Sequence, residues 1–197
     1  FEARESEYID SKSGVSARLS ISAFENLLST AERRALFSGD KKTTIRLSDF
    51  NGIIPAITGK VELVYEGEQE GAEAVAETLI SRAIKTLFPT IFPEIKKLEK
   101  QEAETPYDEI ISWFFNKNGD FEILNDLKEK EYRLLLDNIS PLNDLIAEYA
   151  PKTSKEESYF LKEFVLWALV EFDKLSKHKF TEGTQFSDPY GSFINGI

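Results

Sequence analysis

Few residues in this 197-residue chain can do chemistry, and that scarcity narrows the reactions open to it. With no cysteine, thiolate nucleophiles, thiolate zinc sites and disulfides are all excluded. His178 is the sole histidine, flanked by Lys177 and Lys179, so a Ser-His pair or a multi-histidine metal site has nothing else to draw on. Its position reads as the exposed end of the last long helix, where a cation suits the backbone dipole. Glu66, Glu68, Glu70 and Glu73 gather hard oxygens of the kind magnesium or calcium takes. They lack the alternating Asp/Asn and closing bidentate Glu of a calcium loop, and read as a solvated turn between Gly67 and Gly71. No stretch has the spacing of a phosphate-cradling loop, GxxxxGK followed by Ser or Thr, and there is no GxGxxG. What remains is an arginine. "SGVSAR" is a small-residue turn running into a helix, and its Arg18 falls in the first helical turn, where the dipole disfavours a cation. A planar, permanently charged fork of donors there suits an anion brought from elsewhere. A plainer reading pairs it with a nearby acid such as Asp10.

The elements that must position these residues follow from apolar periodicity. Residues 1–9 read as the end of a helix, and 11–14 as a turn from which Ser13 or Ser16 caps the next helix. In that helix Ile21, Phe24, Leu27, Leu28, Ala31 and Ala35 recur at three and four, until Gly39 supplies a left-handed stop. The spacing then predicts an extended stretch over 43–47, a short helix over 49–54 capped by Ser48 and disturbed at Pro55, and a short strand or extended linker over 61–66. Beyond it the pattern is helical over 72–88, from Pro93 onward, from Thr105 and Pro106 to an Asn118-Gly119 stop, over 124–139, and over 141–149. A last helix runs from a Ser154 cap, with Glu157 in the capping-box position, to about His178; its broad apolar set makes it the central helix of a bundle. The tail from Phe180 reads as irregular. The expected fold class is therefore all-α, as a helical segment over 1–66 and a larger helical domain over 67–197.

Charge separates the two parts. Residues 1–60 hold nine Lys/Arg against eight Asp/Glu, whereas the remaining 137 hold 15 against 27, a net charge of −12. The acidic part is poorly suited to a nucleic-acid backbone. Arg33, Arg34, Lys41, Lys42 and Arg46 give the first part a basic character, diluted by Glu32 and Asp40 and without an aromatic platform, so nucleic acid is not expected as a partner. Trp113, Phe114, Phe115 and Trp167 lie at helical spacing on apolar faces and read as core. No apolar run approaches the roughly 20 residues a bilayer span needs, and the expected location is cytoplasmic. A start at Phe1 inside a helical stretch, with no methionine, points to a piece of a longer protein.

Two stretches carry a resemblance. "SGVSARLSISAFENLLSTAERRAL" followed by "RLSDFNGIIPAITGKVELVYEGEQEG" is similar to the lid and post-lid region of AAA+ ATPases of the magnesium-chelatase subunit I type, related to the MoxR group. The resemblance covers roughly residues 1–85. It implies that Arg18 is the sensor-2 arginine that contacts ATP phosphates, with Ser16, Arg33 and Arg34 at a nucleotide or subunit interface. It further implies an upstream α/β core that supplies the phosphate loop, the magnesium-binding acid and the attacking-water base, with ATP and Mg²⁺ bound in the parent protein and neither expected in this chain alone, and a ring of subunits, commonly six. The parent's ATP hydrolysis would drive remodelling of, or metal insertion into, a protein client, and this chain alone would be inactive. The alternative is a helical protein–protein interaction module with no nucleotide role. Residues 86–197 match no motif of that family.

Overall fold

The computed structural model describes residues 1–95, 104–116 and 121–189. In chain order the first part comprises α1 (Glu2–Glu5), α2 (Ala17–Ser38), a 3₁₀ segment (Leu47–Ile53), α3 (Ile54–Thr58), α4 (Tyr65–Glu70) and α5 (Ala72–Leu87). There follow α6 (Asp108–Asn116), β1 (Phe121–Leu124), α7 (Glu129–Asp137), α8 (Ser140–Tyr149), α9 (Lys155–Glu171), β2 (Ser176–Phe180) and β3 (Gly183–Ser187). The chain is mostly helical.

The helices with the clearest periodicity and caps form where expected. α9 starts at Ser154, whose Oγ accepts from the Glu157 N–H at 3.2 Å, while the Glu157 carboxylate accepts from the Ser154 N–H at 2.9 Å. Ten of its 17 residues are buried, so it is covered nearly all round, as a central helix must be. Phe88, Tyr107, Ile110, Leu136, Leu142 and Phe186 all belong to the core around it. α2 ends at Gly39, which adopts φ 75°, the left-handed stop a Cβ would disfavour. A second, smaller core joins Ile9, Ile57, Ala76 and Leu79.

Several expectations require correction. The fold is not all-α: β1, β3 and β2 form an antiparallel sheet in that order, with Phe121 opposite Phe186 and His178 opposite Gln185. α9 stops at Glu171, and Asp173 at φ 59° turns the chain into β2, so His178 lies exposed on a strand rather than at a helix end. The stretch read as an irregular tail contains β3, whose Thr184 and Phe186 face the core. The helix expected over 124–139 is β1 followed by α7. These strands are four or five residues long, too short for period-two alternation to stand out from a helical background. At 61–66 there is only an isolated bridge between Ile9 and Leu63, after which Tyr65 opens α4; the turn expected between Gly67 and Gly71 is therefore mostly helix. Pro55 lies in the first turn of α3 instead of ending a helix. The helix from Pro93 and the Asn118-Gly119 stop fall largely or wholly outside the described residues.

A buried polar joint holds the 3₁₀ segment between α2 and α9. The Glu163 carboxylate, 1% exposed, accepts from the N–H groups of Leu47 at 2.8 Å and Ser48 at 3.0 Å, and from the Tyr132 hydroxyl at 2.7 Å. Burial pushes the Glu163 carboxyl above its ordinary value of 4.5, against the opposing pull of these donors. Glu163→Ala strands three buried donors, each worth about 1–3 kcal/mol, so urea denaturation should register a loss of about 3 kcal/mol or more; a loss under 1 contradicts the joint. Because the folded-state pKa is raised, the associated stability is complete below about 4.5 and is lost as pH rises through the folded value. The stability difference between wild type and Glu163→Gln should therefore shift against wild type as pH rises above 4.5, and a pH-independent difference would exclude the raised pKa.

Candidate functional site

The first turn of α2 is built by the segment before it. Asp10 organises that turn, its carboxylate accepting from the Lys12 N–H at 2.8 Å and the Ser13 hydroxyl at 3.4 Å. Gly14 adopts φ 67°. Ser16, in extended geometry, is the N-cap: its Oγ accepts from the Arg18 N–H at 3.2 Å and its carbonyl from the Leu19 N–H at 2.9 Å. The helix start thus spends two of its first amides on its own cap, and the guanidinium is left as the means of meeting an anion. Arg18 is exposed and has no side-chain partner among the described residues. The expected alternative pair with Asp10 does not form, because that carboxylate is consumed by its own turn.

Beside the turn lies a cavity of about 270 Å³ lined by Ser13, Gly14, Val15, Ser16, Lys60 and Glu62. Glu62 accepts from the Ser13 hydroxyl, while Lys60 is exposed and without a side-chain partner among the described residues. Lys60 was not legible as a site residue. It arrives because backbone bonds from Asp10 to Glu62 at 2.9 Å and from Val64 to Tyr8 at 3.0 Å fold the 60–64 segment back onto the turn.

The other two arginines lie near the far end of α2. Arg34 is 6% exposed and spent on structure: its Nε and Nη2 donate to the two oxygens of Asp49 at 3.0 and 2.8 Å, Nη1 to the Thr43 hydroxyl at 2.8 Å, and Nη2 to the Thr44 carbonyl at 2.7 Å. Arg33, one residue earlier and about 100° round the helix, is exposed with no side-chain partner among the described residues. Both border a cleft of about 570 Å³ whose walls include Thr30, Phe37, Ser48, Asn51, Gly52, Asn125 and Asp126. A Cβ on Gly52 would meet Thr30 Oγ1 at 1.9 Å, so this glycine permits the close approach of the 3₁₀ segment to α2 that forms the cleft. Ser16 and Arg18 are therefore together at one end, and Arg33 and Arg34 at the other.

Arg46 also carries structure. It is fully buried, its guanidinium 4.1 Å over the Tyr132 ring and 3.2 Å from Glu129. Burial, reinforced by the neighbouring Arg34 charge, lowers its pKa. The glutamates at 66, 68 and 70 sit on α4 and Glu73 on α5, all exposed, and no group of three or more potential metal ligands gathers among the described residues. No described helix is long and apolar enough to cross a membrane.

No family model, curated protein or solved structure matches the chain.

The adjacent arginines give a sharp test of these assignments. Arg34→Ala leaves Asp49 buried without its partner and should cost about 3–5 kcal/mol in urea denaturation, whereas Arg33→Ala should stay within about 0.5 kcal/mol. Equal losses would contradict the division of roles.

Proposed function

We propose that this chain is the lid and helical C-terminal part of a chelatase-like AAA+ ATPase, in which Arg18 reads the phosphates of ATP bound by an upstream core. The observation that carries the reading is a free guanidinium on the first turn of a 22-residue helix. It stands against the helix dipole at a cost of a few tenths of a kcal/mol to about 1, with no acid among the described residues paired to it. A polyphosphate brought to that turn reverses the sign of the dipole effect and meets a second unpaired cation at Lys60.

The uncovered part of α2 supports the same reading. Of the apolar set that periodicity assigned to one face, Ala31 and Ala35 are buried, but Ile21 and Phe24 are each 59% exposed. They lie within the first two turns after Arg18, where an upstream core would rest. The chain itself has no phosphate loop, so ATP, Mg²⁺ and hydrolysis belong to the parent protein, and neighbouring subunits and a client are its partners.

A second reading, a helical interaction module with no nucleotide role, is favoured by exposed Leu36 and Phe37 at the other end of α2. The two separate by experiment. In the parent protein, Arg18→Ala should lower ATP turnover at least tenfold, equivalent to about 1.4 kcal/mol of transition-state stabilisation, with Arg18→Lys intermediate. Because Arg18 is exposed, the thermal midpoint of the variant should match wild type. Unchanged turnover would end the sensor assignment.

A further inference from the structure

The end of α9 and the strand after it enclose a lysine whose amine has no part in the polar joint or in the turn around Arg18. α9 stops at Glu171, the chain turns at Asp173, and β2 brings Lys177 back across the helix, its Nζ 3.7 Å from the centre of the Trp167 ring. The Lys177 side chain is only 15% exposed. Its one ion pair among the described residues is with Glu171 at 3.8 Å, which attracts the charge from beyond hydrogen-bond distance. Lys162, deeper still, is held differently: its Nζ donates to the Asp137 carboxylate at 2.5 Å. Lys179, two residues on and so on the same face of β2 as Lys177, is bound to Glu77 of α5.

Lys177 lines a cavity of about 280 Å³ between the 3₁₀ segment, α5, α9 and β2. Phe50, Ile80 and Trp167 supply apolar wall, and Asn51 and Ser81 supply neutral polar groups. The charges there cancel in pairs, Lys177 with Glu171 and Lys179 with Glu77, so the cavity carries no excess that would favour an ionic ligand. Burial favours the neutral amine over the ammonium. It lowers the Lys177 pKa from its ordinary value of 10.5 against the attraction of Glu171, and the Lys179 charge adds to the lowering while Glu77 opposes it. A desolvated amine beside a second cation is the arrangement that makes a lysine nucleophilic toward carbonyl compounds.

We infer that Lys177 is a reactive amine and that the cavity beside it takes a small neutral aldehyde, with which the amine condenses to an imine. The ammonium first gives a proton to solvent. The freed lone pair adds to the carbonyl carbon, the carbonyl oxygen takes up a proton, and the carbinolamine so formed loses water to leave a C=N bond to Nζ. One amine and one aldehyde give one imine and one water, with no oxidant or reductant consumed. The apolar wall suits the hydrocarbon part of the aldehyde, and Asn51 and Ser81 offer donors to its oxygen. The cavity shares no residue with the one beside Arg18, so the inference is independent of the nucleotide reading.

The test treats the full, folded chain with benzaldehyde and sodium cyanoborohydride at about pH 7 and locates the reduced adducts by peptide mass spectrometry. Lys177 should be labelled at least tenfold faster than exposed Lys41, Lys42 or Lys60, and the preference should vanish in urea, where every lysine has the ordinary pKa. With glyoxylate, an anionic aldehyde, the preference should shrink at least fivefold. Ser81→Leu, which narrows the cavity, should slow Lys177 labelling at least fivefold, with circular dichroism as the folding control. Benzyl alcohol, similar in shape but unable to condense, should slow labelling at Lys177 alone and gives the same reading without a mutation. Labelling of Lys177 no faster than of the exposed lysines would overturn the proposal, because Glu171 and the indole face would then hold the amine as its ammonium. So would a preference that survives in urea, one that is equal for glyoxylate, or one that neither benzyl alcohol nor Ser81→Leu reduces.

Discussion

The structure depends on how eleven residues between α2 and α3 are kept from water. Residues 43–53 carry a stretch of backbone that is neither long helix nor sheet, so its polar groups need partners from elsewhere. Buried polar and charged side chains supply them. Glu163 accepts from Leu47 and Ser48, Asp49 from the Arg46 N–H at 2.8 Å, and Arg34 donates to the Thr44 carbonyl. Each charge is in turn paired or hydrogen-bonded, which makes its burial tolerable. The same joint has two orphaned donors, Nε and Nη1 of Arg46, whose guanidinium relies on the Tyr132 ring and on Glu129.

That joint connects two chemically different parts. α2 belongs to the segment of near-neutral charge and α9 to the acidic one, and the 3₁₀ segment touches both. The last turns of α2 are thus joined to α9 through short charge-assisted hydrogen bonds, from Arg34 to the 3₁₀ segment and from that segment to Glu163. For a lid that reads nucleotide at Arg18, such a rigid connection would carry the signal into the acidic helical region. The partition of arginines follows from the same geometry: Arg34 and Arg46 are consumed in building the joint, whereas Arg18 and Arg33 have no side-chain partner among the described residues.

How much of this was legible in the sequence depended on the range of the cause. Gly39, the Ser154–Glu157 box and the apolar stripes of α2 and α9 act within a few residues, so their outcomes could be read directly. The small sheet could not be read this way, since β1 is paired to β3 across some sixty residues, and Phe121 and Phe186 explain each other only once they meet. Arg33 and Arg34 are equivalent in composition, and only the position of Asp49 fifteen residues on decides that one is buried. Asp10 looked available to Arg18 because sequence proximity does not reveal that the turn has already taken its carboxylate. Lys60 and the cleft around Asn125 were invisible for the same long-range reason.

The account stands on residues 43–53 being a rigid joint rather than a surface loop, and backbone amide hydrogen exchange at Leu47 and Ser48 tests this most directly. Both amides donate to buried Glu163, so they should exchange only as slowly as the amides of the α9 core, through global unfolding. Exchange as fast as at exposed Lys41 and Lys42, with α9 still protected, would contradict it.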